Sequence, residues 1–138
     1  MNDLRVVIDT NVVVSALLLR ESLPRRALDA ALSQGTILLS LETVAELDDV
    51  LRCPKFNRYI SEDERIEFLA ALVLTAEQVK IVDTFRVCRD PRDDKYLEAA
   101  TNGHATHIMT GDKDLVALNP FHGIAIVTPQ IFLEGLAE

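Results

Sequence analysis

The run Val6-Val7-Ile8-Asp9-Thr10-Asn11 constrains this chain more than any other stretch. Three β-branched apolar residues in succession suit a strand covered on both faces, as in a parallel sheet, because a half-exposed strand would alternate apolar and polar positions. The run then stops on a carboxylate. In open α/β sheets the crevice beyond the carboxyl ends of the strands receives ligands, which places Asp9 at a cleft. Asp9 has a second reading as the N-cap of the apolar stretch that follows, since Asp, Thr and Asn all cap helices well. The other strand ends decide between the two.

Taken in order, Asn11 to Leu19 predicts a buried helix, although Val12-Val13-Val14 lowers helix propensity. Ser22 caps a second helix with Pro24 in its first turn, Ala27, Leu28, Ala31 and Leu32 at helical spacing, and Gly35 as a C′ stop. Thr36 to Leu39 reads as a second strand. It feeds a helix over Leu41 to Arg52 with Leu41, Val44, Leu47 and Leu51 on the apolar face, Glu46 opposite, and a capping-box match from Thr43 to Glu46. The loop Cys53 to Tyr59 interleaves basic and aromatic residues, as a plain connection or as a contact for RNA or a protein. Ser61 with Glu64 forms a capping box before a helix marked by Ile66, Leu69, Val73 and Ala76. Val79 to Val82 is a third strand, and Arg89 to Lys95 a turn opening a helix over Tyr96, Leu97, Ala99 and Ala100 that Gly103 ends. His107 to Thr110 is a strand ending on Gly111-Asp112-Lys113-Asp114. Ile124 to Val127 is the last strand, and Thr128-Pro129 opens a C-terminal helix. This alternation predicts a single-domain three-layer α/β/α sandwich over residues 1–138, with a mostly parallel, roughly five-stranded sheet.

Cys53 and Cys88 have neither CxxC spacing nor a secreted framework, which reads as reduced thiols. With no basic and apolar leader and no run long enough to span a bilayer, a cytoplasmic protein without a membrane partner is expected. A net charge of −8 argues against nucleic acid when the chain is taken whole. The argument changes if Asp9, Glu46, Asp93, Asp94, Asp112 and Asp114 gather in one site, because the remaining acids then nearly balance the 14 basic residues. A bound dication would reverse the local potential there.

Such gathering follows from the topology. Asp9 and Asp112 end two strands, Asp93-Asp94 opens a helix, and in a parallel sheet these ends share one edge. Carboxylates held together raise one another's proton affinity unless a cation neutralises them. Oxygen donors without accompanying Cys or His favour Mg²⁺ or Mn²⁺ over zinc. The matching chemistry is phosphoryl transfer or phosphodiester hydrolysis.

The order Asp9-Thr10-Asn11, Ser40 through Glu46-Leu47, Asp90-Pro91-Arg92-Asp93-Asp94 and Thr110-Gly111-Asp112-Lys113-Asp114 resembles the PIN-domain ribonucleases over essentially the whole chain. The likeness is nearest to the toxin components of bacterial toxin–antitoxin pairs, the VapC-like proteins. That resemblance implies an RNA substrate, a cognate antitoxin and a homodimer. It maps the catalytic quartet onto Asp9, Glu46, Asp94 and Asp112, with Asp9, Asp94 and Asp112 holding the metal and Glu46 orienting or deprotonating the attacking water. Asp114 matches an accessory fifth acid, and Thr10, Asn11 and Thr110 are supporting polar positions. The doubled acid admits two registers. Asp94 is taken as the third acid, with Asp93 accessory, because Leu97 and Ala100 place Asp94 at the helix start.

Arg92, Lys95 and Lys113 stand beside the acids and suit contacts to an RNA backbone. His104, His107 and His122 lack partners at metal spacing and read as surface or core residues. Two other function classes are open. A doubly wound Mg²⁺-dependent phosphatase or phosphoacceptor would want an acid where the chain has Asn11, and a phosphate loop that is missing. A non-catalytic PIN-like binding module would be expected to have lost acids.

Overall fold

The computed structural model describes residues 4–137, so the outermost residues of the expected 1–138 domain lie outside the described ones. The chain runs through β1 (Leu4–Ile8), α1 (Thr10–Leu18), α2 (Leu23–Gln34), β2 (Gly35–Leu39), α3 (Leu41–Leu51), α4 (Glu62–Thr75) and β3 (Glu77–Gln78). It continues through α5 (Asp94–Asn102), β4 (His107–Met109), α6 (Lys113–Val116), β5 (Ala125–Val127) and α7 (Pro129–Leu136). The strands form one sheet in the order β3-β2-β1-β4-β5, with every pairing parallel. Among the described residues no helix is long and apolar enough to cross a membrane.

The continuous apolar runs are explained by burial on both faces. Val6, Ile8, Ile37, Leu39 and Met109 join the core beneath α1, α2, α3, α4 and α7. Their neighbours Val7, Leu38, Ile108 and Ile126 point the other way, to the core under α5 and α6. The period of two thus divides the runs Val6-Val7-Ile8, Ile37-Leu38-Leu39 and Ile108-Met109 between two apolar layers, which leaves no polar position within them. Gly35 stands opposite Leu4 in the β1–β2 register, where a Cβ would fall 2.4 Å from the Leu4 carbonyl oxygen. It ends α2 by this close approach in extended conformation, not as the left-handed C′ stop expected from the sequence.

Three local expectations are corrected. Leu41, assigned to the apolar face of α3, is 84% exposed; the buried stripe is Thr43, Leu47 and Leu51. The capping box of α3 is Ser40 with Thr43, not Thr43 with Glu46. The third strand is Glu77–Gln78 and not Val79 to Val82: after the Val79 amide donates to the Leu39 carbonyl (2.7 Å), the chain leaves the sheet.

What captures it is a stripe of side chains on α5. Asn102 Oδ1 accepts the amides of Val82 and Asp83 (3.0 Å each), Glu98 Oε2 that of Phe85 (3.0 Å), and Asp94 Oδ1 those of Val87 (3.1 Å) and Cys88 (2.8 Å). Residues four apart share one helix face, so these acceptors hold a strap antiparallel to α5 and satisfy its backbone without a strand. A second unanticipated tie is Arg65, fully buried in α4. Its guanidinium donates to the Leu51 carbonyl (2.6 Å), the Ile60 carbonyl (2.5 Å) and Asn57 Oδ1 (2.9 Å). A cation at the last turn of α3 meets the negative end of that helix, and the basic and aromatic loop is fastened in the process.

Candidate active site

Asp9 lies one residue beyond β1 and Thr110 one residue beyond β4, on adjacent strands. The ladder runs on just far enough to align them, with the Asp9 amide on the Met109 carbonyl and the Thr110 amide on the Val127 carbonyl, both 2.9 Å. Thr110 Oγ1 then donates to Asp9 Oδ2 (2.7 Å), while Asp9 Oδ1 accepts the Asn11 amide (3.2 Å). Both readings of Asp9 hold together: it caps α1 and lines the cleft. Thr110 Oγ1 also accepts the Asp112 amide (3.0 Å), and Asp112 caps α6 through the Asp114 amide (2.8 Å). The hydroxyl of Thr110 therefore couples two of the acids.

Of the doubled acid, Asp93 is the one that lines the cleft, whereas the register chosen from the sequence favoured Asp94. Asp93 lines a cleft of about 250 Å³ with Asp9, Asp112 and Glu46. Asp94 is buried beneath it with Oδ1 on the strap amides, and belongs to a separate recess beside Cys88. The electrostatics divide the same way. Burial, then the charges of Asp112 and Asp9, push Asp93 up to about 6. Burial also works against ionised Asp94, but the amides of Cys88 and Val87 more than offset it and hold the carboxyl below its ordinary value. The Cys88 thiol beside it is pushed up to about 12 by burial and then by Asp94.

Glu46 reaches the cleft from α3 on a face that the apolar pattern had assigned to solvent. Oε1 accepts from Lys95 Nζ (2.8 Å), and Oε2 from Thr10 Oγ1 (2.7 Å) and from the Tyr96 hydroxyl. Burial raises its proton affinity, but Lys95, Tyr96 and Thr10 together bring it below the ordinary value. Tyr96 was read from the sequence only as an apolar helix position. It is buried, accepts the Thr10 amide (3.2 Å), and is held protonated by burial and by the Asp9 charge. The available signal was that a buried tyrosine hydroxyl requires a polar partner.

The remaining expected residues are dispersed. Lys95 is engaged by Glu46 and by the Arg92 carbonyl. Arg92 lines the cleft but forms a fork with Asp90 (2.9 and 3.2 Å). Lys113 and Asp114 are exposed, and neither lines the cleft of the other acids. Asn11 is exposed at its mouth.

Asp9, Asp93 and Asp112 supply oxygen only, and the proton affinity of Asp93 is raised first by burial and then by the charges of Asp112 and Asp9. Among the described residues no three acidic, His or Cys side chains close on a single point as a finished cage. The set fits a small hard dication that keeps part of its water shell.

The PIN-domain family model matches residues 5–114. The chain belongs to the PIN-domain family. Its members are nucleases. This PIN domain is 32% identical to an uncharacterized protein of Methanocaldococcus jannaschii, over 95% of the chain and 90% of that protein. The fold is similar to that of a chain in VapBC2 from Rickettsia felis bound to a DNA fragment from their promoter (TM-score 0.61, 12% identity, 91% of this chain and 98% of the other). DNA-bound VapBC from Salmonella typhimurium is similar too (TM-score 0.59, 15% identity, again 91% and 98%).

Proposed function

We propose that this PIN domain is an endoribonuclease that hydrolyses RNA phosphodiesters with Mg²⁺ or Mn²⁺, and that it is the toxin of a toxin–antitoxin pair held inactive by its cognate antitoxin. The observation that carries the reading is the meeting of Asp9, Asp93 and Asp112, from three separate elements, at the carboxyl edge of a parallel sheet. A dication bound there supplies Lewis acidity toward a phosphate oxygen and lowers the pKa of a bound water. Asp9 is held in place by Thr110 and the Asn11 amide, and Asp112 by the Asp114 amide, so both are oriented before substrate arrives. The ion would favour ionised Asp93, which burial and the charges of Asp112 and Asp9 disfavour without it.

Glu46 has the role of a positioning residue. With both oxygens accepting hydrogen bonds and its proton affinity lowered, it is a poor acceptor for the proton of an attacking water. It links α1, α3 and α5, and ties Lys95, which lines the recess of Asp94, to the cleft side of α3. Arg92 is the exposed cation placed to meet an RNA phosphate.

The antitoxin partner is supported by the fold shared with VapBC proteins, and the homodimer by the VapC-like sequence pattern. Purified protein is expected to cut RNA in Mg²⁺ or Mn²⁺ and to be silent in chelator. Cleavage that persists in chelator, or an Asp93→Asn variant cutting at the wild-type rate, overturns the metal-nuclease reading. Co-expression with the protein encoded beside it tests the pairing, with a stable complex and suppressed cleavage as the expected result. Light scattering that reports a monomer at high micromolar concentration rules out the homodimer.

A further inference from the structure

The acids border two depressions, not one. Besides the cleft with Asp93 and Glu46, a groove of about 450 Å³ opens on the other side of Asp9, Asn11 and Asp112, with Val12, Ser15, Pro24 and Pro129 as its walls. Its surface is mainly apolar, whereas that of the acid cleft is mainly polar. The α1 wall is unusual for its helix. Between Asn11 and Leu18, Ser15 is the one polar residue, partly exposed between buried Val14 and Ala16. At the far wall Pro24 leads into Arg25 and Arg26, with Arg20 shortly before it and Glu21 the single intervening acid. Arg25 donates to the Ala16 carbonyl (3.3 Å), which seats this basic turn against the end of α1.

We propose that this groove is a nucleobase subsite for the residue flanking the scissile phosphate, and so sets the sequence preference of cleavage; the inference rests on the ribonuclease reading above. A single strand laid across the sheet edge puts its phosphate at the acids and the adjoining base between Ser15 and the two prolines. The occupant follows from continuity: the groove shares Asp9, Asn11 and Asp112 with the acid cleft, offers an apolar slot for a base face and one hydroxyl for a base edge, and is walled by Pro24, which Arg25 (held by Asp29) and exposed Arg26 follow in sequence. Ser15 acts as a specificity-determining residue and takes no part in the chemistry.

The test uses the full chain with Mn²⁺ and a random-sequence RNA pool, with cut ends mapped by sequencing, for wild type, Ser15→Leu and Pro24→Ala. Ser15→Leu adds an apolar side chain to an apolar helix, and unchanged thermal melting verifies its fold. The expected result is a preference at one position beside the cut that Ser15→Leu alters by about tenfold, the scale at which pockets discriminate by shape, with chelator sensitivity unchanged. In parallel, an oligonucleotide carrying 4-thiouridine is photo-crosslinked in chelator, with the label expected in residues 11–26 or 129–131. If wild type cuts RNA and both variants cut with its preference, the subsite is wrong and the nuclease reading stands. If wild type does not cut but crosslinks in the groove, the nuclease reading is wrong and the groove stands as a nucleotide site. Neither cutting nor crosslinking overturns both.

Discussion

Asp93 and Asp94 are consecutive residues with opposite surroundings: Asp93 faces Asp9 and Asp112 across the cleft, while Asp94 accepts the Val87 and Cys88 amides at 3.1 and 2.8 Å behind it. Neutralising them should have opposite effects on stability. In chelator at pH 7.5, Asp93→Asn removes a repelled charge and should raise the melting temperature by a few degrees, equivalent to about 1 kcal/mol once solvent screening is allowed for. The folded value of about 6 lies above the ordinary 3.8, so the penalty in wild type is full above pH 6 and fades as pH falls toward 4. The advantage of the variant should fade in step. Asp94→Asn replaces a carboxylate accepting two amides and should melt lower, by about 1 kcal/mol. Melts of both variants from pH 4 to 8 check the pair, and equal shifts of one sign would return the third acid to an open question.

Metal should reverse the order at Asp93. A ligand that binds only the folded state stabilises it by about 2.7 kcal/mol at a hundredfold excess over Kd. Mn²⁺ should therefore raise the wild-type melting temperature and do much less for Asp93→Asn. RNA cleavage by Asp93→Asn should fall about a hundredfold or more, while Asp94→Asn retains metal-dependent cleavage. Calorimetric titration with Mn²⁺ beside a cleavage assay reads both effects.

The Glu46 cluster gives a pH test of the other sign. Because Glu46 has a lowered folded pKa, its stabilisation is present above the ordinary value of 4.5 and is lost as pH falls through the folded value. Lys95→Met leaves that partly buried charge short of its cation and should cost about 1 to 3 kcal/mol at pH 7. As pH falls through the lowered folded value and Glu46 takes up its proton in the folded state too, the cost should shrink. Tyr96→Phe removes a donor from the same oxygen and should cost about 1 to 2 kcal/mol. Melting curves followed from pH 7 down into the acid unfolding range check these values, and a Lys95→Met deficit that never shrinks along that series would detach Lys95 from Glu46.

Arg65→Met should be among the most damaging single changes outside the cleft, at about 3 kcal/mol, because it orphans the carbonyls of Leu51 and Ile60. Hydrogen exchange should quicken first over residues 52–60. Protection there equal to wild type would show that the loop is held by something else.

Asp9, Thr110 and Asp112 were legible in the sequence for a simple reason: each follows a short apolar strand, and parallel strands present their ends at one edge. The sheet and the helix order follow from the same local patterns, since burial on both faces demands runs such as Val6-Val7-Ile8. Local pattern could not choose between Asp93 and Asp94, because both suit the start of α5. The choice is made by a strap from the far side of the helix, whose free amides need acceptors and take Asp94, Glu98 and Asn102, leaving Asp93 to the cleft. Glu46 and Tyr96 are a similar case. Helical periodicity places each on its own helix, but only the packing of α1, α3 and α5 brings the Tyr96 hydroxyl, Thr10 and Lys95 onto one carboxylate. The ends of β1 and β4 are set by neighbours in sequence, whereas that of β3 is set by acceptors on α5. The proton affinity of each acid depends on which charges, amides and hydroxyls surround it, and those come from distant parts of the chain.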